Sequence, residues 1–322
     1  MISSDGFMTM GEGDTREAPD LILMKSGFTV SERCSSRPSC FHFAARKGHT
    51  LIFVRSQPDI SSLSAQDLHE LRAISENLSA TPLLICEQTR GKPLENDTVY
   101  TRHGVVAVTS ETFESVLVHG QFPLVQASPG GYYVEIDSRA LRRRRQERGL
   151  SVGEVADMVG ISRRTIYGYE RGMAKASVPA AYNMIRALGI PVAKQVNILE
   201  TSEEPQKPCL FNTAKRMFSR NRILQKIVSR FAKCQITTVK RAPFDFVILA
   251  PDSKRILGGI ASSKEPELNR RVDEILSISK LVNAHPVLIT EGEQQRKKDI
   301  PCVSDEEVAQ MNGPEDLIAR VT

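Results

Sequence analysis

Two rhythms of apolar residues alternate along the chain. Short runs such as "LIFV" (51–54), "PLLI" (82–85), "FDFVILA" (244–250) and "PVLI" (286–289) have the length of strands and are bounded by polar or turn residues. Between them apolar residues recur three and four apart, the period of a helix with one buried face. This spacing predicts helices over about 21–26, 65–78, 222–232 and 267–281. Thr109, and Ser304 with Glu307 three residues on, have the chemistry of helix N-caps and predict a further helix after each. The order helix, strands, helix, strand, strand, helix occurs twice and reads as an α/β pattern.

The two occurrences share residues. "RPSCFHFAA" near residue 40 resembles "RAPFDFVILA" near 245, with Phe41-His42-Phe43 against Phe244-Asp245-Phe246. "AISENLSATPLLI" (73–85) aligns with "SISKLVNAHPVLI" (277–289) at a constant offset, and "VTSETFESV" (108–116) with "VSDEEVAQM" (303–311). Three matches in one order predict two copies of one domain.

Residues 138–192 have a different pattern. "SRALRRRRQERG" has Ser138 as a possible cap and Gly149 as a helix stop. Ser151 and Glu154 have capping-box spacing, and Val152, Val155, Ala156 and Val159 share one face. Gly160 breaks that helix and Ser162 caps the next, "RRTIYGYE"; Met184, Ile185 and Leu188 then share the face of a last helix that ends at Gly189. Two helices of about eight residues joined by a tight glycine turn make a helix-turn-helix. Ile166 and Tyr169 then face the core. Ser162, Arg163, Thr165 and Gly168, with Arg164 at the flank, face outward where this motif reaches base edges.

"LRRRRQERGLSVGEVADMVGISRRTIYGYERG" resembles the lambda-repressor/Cro-like helix-turn-helix family. The resemblance implies that Arg145 and Glu170 form a structural ion pair. It also implies that Ser151, Ser162, Arg163, Arg164, Thr165, Tyr167, Gly168 and Lys175 lie toward DNA. Val152 stands where the family often has a glutamine that touches a phosphate. Arg163 and Arg164 suit either base contacts, an arginine matching a guanine edge with two hydrogen bonds, or phosphate clamps. Arg142 and Arg143 suit phosphate contacts or plain solvation. Together with "GFTVSERCSSRPSCFHFAAR" and "SPGGYYVEID", the motif resembles a family of archaeal helix-turn-helix transcriptional regulators.

Charge agrees with this. The chain carries +5, yet residues 139–192 hold eleven Lys/Arg against four acids, a net +7, which leaves −2 elsewhere. A basic segment within a neutral remainder is the footprint of a nucleic-acid-binding module. Cys34, Cys40, Cys86, Cys209, Cys234 and Cys302 are scattered without a C-x-x-C pair, which argues for reduced thiols and against a zinc site. No run of about 18 apolar residues suggests a membrane span, and the N-terminus lacks the pattern of a signal peptide, so a cytoplasmic protein is expected.

The arms resemble a restriction-endonuclease-like core, whose chemistry needs an Asp ending one strand and Glu-x-Lys on the next to hold magnesium. The first arm has His42 and Phe53-Val54-Arg55 at these places; the second keeps Asp245 but follows it with "ILGGIAS". Gly258-Gly259 predicts a bulge or close packing. No catalytic or metal site and no cofactor is expected.

The fold expected is therefore multi-domain α+β. A central all-α lambda-repressor-like helix-turn-helix (138–198) lies between two duplicated α/β arms (19–125 and 217–322) that resemble a degenerate restriction-endonuclease-like core. A lead (1–18), a connector (126–137) and a linker (199–216) complete it. The expected function is sequence-specific binding of double-stranded DNA by a transcriptional regulator, as a homodimer. The alternatives are a nuclease-derived DNA-processing protein, or an antitoxin or scaffold with a protein partner.

Overall fold

The computed structural model describes residues 17–200, 221–232, 234–250, 254–262, 265–290, 299–311 and 313–321. Most of the expected lead, most of the linker, and Cys209 lie outside the described residues. No described helix is long and apolar enough to cross a membrane.

In the first arm α1 (Pro19–Lys25) is followed by β1 (Thr29–Val30), β2 (Phe43–Lys47) and β3 (Thr50–Ser56). Helix α2 (Ala65–Leu78) starts on Ser64, whose hydroxyl accepts from the Asp67 N–H, and stops on Ser79 in the left-handed region. Then come β4 (Thr81–Ile85), a small pair β5 (Gln88–Thr89) and β6 (Lys92–Pro93), β7 (Thr98–Arg102), β8 (Val105–Val108) and α3 (Ser110–His119), capped by Thr109. Strands β1, β2 and β3 pair antiparallel; β4 joins β3, and β8 joins β4, in parallel. The run 51–54 is buried on both faces of the sheet. Ile52 and Val54 meet Ile22, Leu23 and Phe113 of α1 and α3, while Phe53 meets Leu68 and Leu71 of α2.

The second arm has α8 (Arg222–Arg230), β12 (Gln235–Thr238), β13 (Phe246–Leu249), β14 (Arg255–Ala261), α9 (Leu268–Val282), β15 (Ala284–Thr290), β16 (Cys302–Ser304), α10 (Asp305–Gln310) and α11 (Pro314–Val321). Its sheet runs β12-β13-β14-β15-β16, with two antiparallel pairings followed by two parallel ones. That is the succession of β1-β2-β3-β4-β8. Gly258 pairs directly with Phe246, and a Cβ there would lie 1.9 Å from the Phe246 ring. The register is unbroken from Arg255 to Ala261, so this glycine marks close packing rather than a bulge.

The two arms share one core. Cys40, Phe41, Phe53 and Leu71 of the first lie in the same buried cluster as Phe244, Val247, Leu257 and Ile275 of the second. Phe41 makes an edge contact with Phe53, centroids 4.7 Å apart, and lies 6.3 Å from Phe244. Polar groups cross the junction in reciprocal fashion. Glu70 of α2 accepts from the N–H groups of Lys240 and Arg241, both at 3.1 Å. Glu274 of α9 accepts from those of Ser35 and Ser36, at 2.8 and 2.9 Å.

Between the arms β9 (Val125–Ser128) and β10 (Gly131–Val134) form a hairpin, followed by α4 (Ser138–Glu147), α5 (Val152–Val159), α6 (Arg163–Glu170), β11 (Ala176–Ser177) and α7 (Val178–Leu188). Two sequence expectations are corrected here. The module is not all-α: β11 pairs with β10, and β9 pairs with β7, so one nine-stranded sheet runs from the first arm into the helix-turn-helix. The connector 126–137 is thus mostly strand. A two-residue strand inside a loop has no periodicity to betray it. The cap of α4 is Asp137, whose carboxylate accepts from the Arg139 and Ala140 N–H groups, and Ser138 is the first helical residue. After α7 the chain returns to the first arm, where Ile198 is buried beside Phe113.

Candidate nucleic-acid interface

The helix-turn-helix is built by its caps and its buried face. Ser151 and Glu154 form a complete capping box, Gly160 ends α5 in the left-handed region, and the Ser162 hydroxyl accepts from the Thr165 N–H at 3.1 Å. Val155, Ala156, Val159, Ile166 and Tyr169 are buried with Leu141, Met184 and Leu188 in the module's own core. Arg145 and Glu170 clamp α4 to the end of α6. Nε donates to Oε1 at 2.5 Å, Nη2 to Oε2 at 3.0 Å, and Nη1 to the Leu150 carbonyl at 3.0 Å. The pair is largely buried, and the Glu170 hydrogen bonds hold the guanidinium firmly protonated.

The arginines in and just after α4 divide by partner. Arg144 donates to the Leu188 carbonyl at 3.1 Å and Arg148 to that of Ala187 at 2.7 Å, so both satisfy the C-terminal end of α7. Sequence reasoning missed this role, because nothing in "RRRR" says which arginine faces a helix end. Arg142 makes no hydrogen bond or ion pair among the described residues, and Arg143 reaches Glu147 only at 3.9 Å.

Around α6 the structure brings together most of the residues singled out in the sequence. Ser151, Arg163, Arg164 and Tyr167 line a cleft of about 520 Å³ together with Val152 and Gly153. Arg163 and Arg164 are exposed and without ion pairs among the described residues. The Ser162 and Thr165 hydroxyls lie 2.8 Å apart and engage each other. Tyr167 is held by Arg171, whose guanidinium lies 4.4 Å from its ring centre. Gly168 is half-buried. Lys175 lies away from this cleft and donates to Gln126 of β9 at 2.5 Å. It lines a second cleft, of about 550 Å³, with Arg139 and Gly172.

The positions that a nuclease would use are spent on other bonds. Asp245 accepts from the Ile260 N–H at 2.6 Å, from Arg37 of the first arm at 2.9 Å, and from the fully buried Arg271. Arg271 also donates to Glu265 at 2.8 Å. Two guanidinium groups therefore stand where a cation would neutralise the carboxylate. In the first arm, His42 Nδ1 accepts from the Ser56 N–H at 3.3 Å. Burial, then the nearby Arg55 and Arg33, push the His42 pKa down to about 4, so the imidazole is neutral near pH 7. No group of three or more metal-ligating side chains occurs among the described residues. Cys34, Cys40, Cys86 and Cys234 are buried, and burial raises each of these thiols, Cys86 to about 12.

Comparisons with known proteins fall on the same division. Residues 18–123 match the family described as a PD-(D/E)XK superfamily domain, and residues 141–195 match that described as helix-turn-helix. Over nearly its whole length the chain is similar to archaeal proteins that bear the name "Putative HTH-type transcriptional regulatory protein". One from Methanococcus maripaludis is 31% identical over 92% of this chain and 93% of its own. One from Methanocaldococcus jannaschii is 32% identical over 93% of each. One from Archaeoglobus fulgidus is 30% identical over 92% and 94%. No solved structure matches the chain.

Proposed function

Because the chain belongs to this family of archaeal HTH-type transcriptional regulatory proteins, we propose that it is a sequence-specific double-stranded DNA-binding regulator. It reads the major groove with α6. The observation that carries this reading is the division of α6 into two faces. Ile166 and Tyr169 are locked into the core and Glu170 into the Arg145 clamp, while Arg163 and Arg164, without ion pairs among the described residues, line an open cleft with Tyr167. A rigid frame with free guanidinium groups is what positions side chains against base edges and phosphates. An eight-residue recognition helix spans only a few base pairs, so two copies on a near-palindrome give the specificity a regulator needs.

We read the arms as two copies of one non-catalytic domain. The common succession of strand pairings, the left-handed caps at Ser79 and Asn283, and the reciprocal bonds of Glu70 and Glu274 support this. In this reading the arms brace the reading head. A nuclease-derived DNA-processing protein is the second reading, and the match of residues 18–123 to the PD-(D/E)XK superfamily favours it. The bonding of Asp245 to two arginines weighs against it.

Selection of bound duplexes from a random double-stranded pool tests the proposal, with an Arg163→Ala/Arg164→Ala variant run beside the wild type. The expected result is one enriched motif, with two-fold symmetry, that the variant loses. Enrichment of nothing by either protein refutes it. Magnesium-dependent cleavage lost in Asp245→Ala supports the second reading.

A further inference from the structure

Resting on the DNA-binding reading, we propose that the two arginines that open α6 do different work: Arg163 clamps a DNA phosphate from a seat made by Gly153, and Arg164 is the residue that discriminates bases. Both are exposed, and the helix reverses the order expected from sequence, which put Arg163 among the outward positions and Arg164 at the flank. The difference lies in where the helix points them.

At about 100° per residue, Arg164, Gly168 and Arg171 fall on the line of α6 that lies opposite the buried Ile166 and Tyr169. Arg163, three residues before Ile166, lies well off that line, on the flank. Its guanidinium does not extend outward. It runs back to α5 and lies against Gly153, where an added Cβ would stand 2.9 Å from Nε, 3.1 Å from Cζ and 3.2 Å from Nη2. Gly153 is buried and is the second residue of α5. A side chain at this second helical position would crowd the guanidinium, so the glycine makes the seat. Glu154, on the next position, forms no ion pair with Arg163 among the described residues. Its carboxylate accepts from the Ser151 N–H at 2.7 Å, which holds its pKa low and fixes it in the capping box. Arg163 is left as a positioned guanidinium with no ion pair among the described residues, on the wall of the cleft and to the side of the outermost line of the recognition helix. A group there meets the sugar–phosphate strand that borders the groove. Arg164, on the outermost line, meets the groove floor, and Gly168 on the same line lets the helix backbone come close.

Phosphate contacts and base contacts have separable signatures. A lost phosphate contact weakens all sequences alike and lowers the slope of log K against log salt by about one unit. A lost base contact relaxes preference at one position. The experiment is a titration of full-length wild type, Gly153→Ala, Arg163→Ala and Arg164→Ala against the selected duplex and its single-base variants, between roughly 50 and 200 mM salt. Arg163→Ala is expected to lower the slope by about one unit and weaken every duplex by a similar factor. Gly153→Ala is expected to shift binding the same way while melting no lower than wild type, because alanine favours the helix and only the seat is lost. Arg164→Ala is expected to flatten preference at one or two positions by about tenfold or more. Flattened base preference in Arg163→Ala, or unchanged binding by Gly153→Ala, overturns the assignment and leaves the DNA-binding reading standing. A wild-type protein that selects no duplex overturns both.

Discussion

Replacing Asp245 with alanine separates a structural carboxylate from a catalytic one. In the fold Asp245 accepts three charge-assisted or backbone hydrogen bonds, from Ile260 N–H, Arg37 and Arg271. Arg271 is 1% exposed and cannot turn to water. It keeps Glu265 at 2.8 Å and the Ile260 carbonyl at 3.0 Å, so the variant does not strand a wholly unpaired charge. It does leave one guanidinium half-neutralised, a second with a lost partner, and the Ile260 N–H without an acceptor. Breaking a buried pair from one side costs about 3–5 kcal/mol, and each hydrogen bond to a charged group contributes about 1.5–3 kcal/mol. The lower half of the first range is expected, because Glu265 remains and the Asp245 side chain is 16% exposed. At about 2–4 °C per kcal/mol, the arms should melt roughly 6–16 °C lower. The assay is thermal unfolding, with hydrogen exchange along β13 and β14 to locate the loss. Asp245→Asn, which keeps an acceptor for Ile260, should lose about half as much. A catalytic Asp245 predicts the reverse: melting within a degree or two of wild type, and loss of a magnesium-dependent cleavage. That outcome would refute the argument that the arginines have taken the place of the cation.

Three further perturbations follow from the packing and charge. Phe41→Ala removes a fully buried ring that touches both arms. It should cost about 3–5 kcal/mol, and limited proteolysis should then open both arms at one temperature; an unaffected second arm would contradict the shared core. Arg145→Ala leaves the Glu170 carboxylate buried without its partner and should destabilise the helix-turn-helix by about 3 kcal/mol. Arg145→Met/Glu170→Leu should restore most of that in denaturant unfolding, and no recovery would mean the pair does more than hold the two helices. The His42 pKa lies near 4 in the fold and near 6.5 unfolded, so the unfolded chain binds the extra proton. Its contribution to stability is complete above pH 6.5 and is lost as pH falls toward 4. His42→Asn should flatten that part of the stability–pH curve, and an identical curve would show that another group titrates there.

The central module was legible because its signals are local. A hydroxyl one position before a helix, a glutamate three further on, and a glycine at the end specify Ser151, Glu154 and Gly160 without reference to the rest of the chain. At α4 the sequence reading put the cap on Ser138, and the neighbouring Asp137 takes that place. The carboxylate accepts from two N–H groups in the structure. What escaped the reading is non-local. Arg37 and Arg241 lie in the matched segments "RPSCFHF" and "RAPFDF", but that each crosses to the other arm, Arg37 to Asp245 and Arg241 to Asp67, depends on how the arms meet. Arg271 begins a helix face of Val272, Ile275 and Ile278, where a buried arginine is unexpected until its two carboxylates are in view. Strand β11 is two residues long and exists because β10 offers it an edge.

The reciprocal bonds also constrain how two chains can meet. A two-fold interface is self-complementary: a group on one side bonds its partner, and the equivalent group returns the bond. Here Glu70 and Glu274 do this within one chain, and the buried rings between them belong to both arms. The surface that would join two separate arms is therefore already filled. A second chain on a palindromic site has to meet the first through some other face, or through the DNA alone. The helix-turn-helix is tied to the first arm by β9 along β7 and by Ile198 in that arm's core. The reading head thus takes its orientation from the closed pair of arms. On the proposed reading, this gives a nuclease-like fold a physical use, as a base that fixes where one helix points.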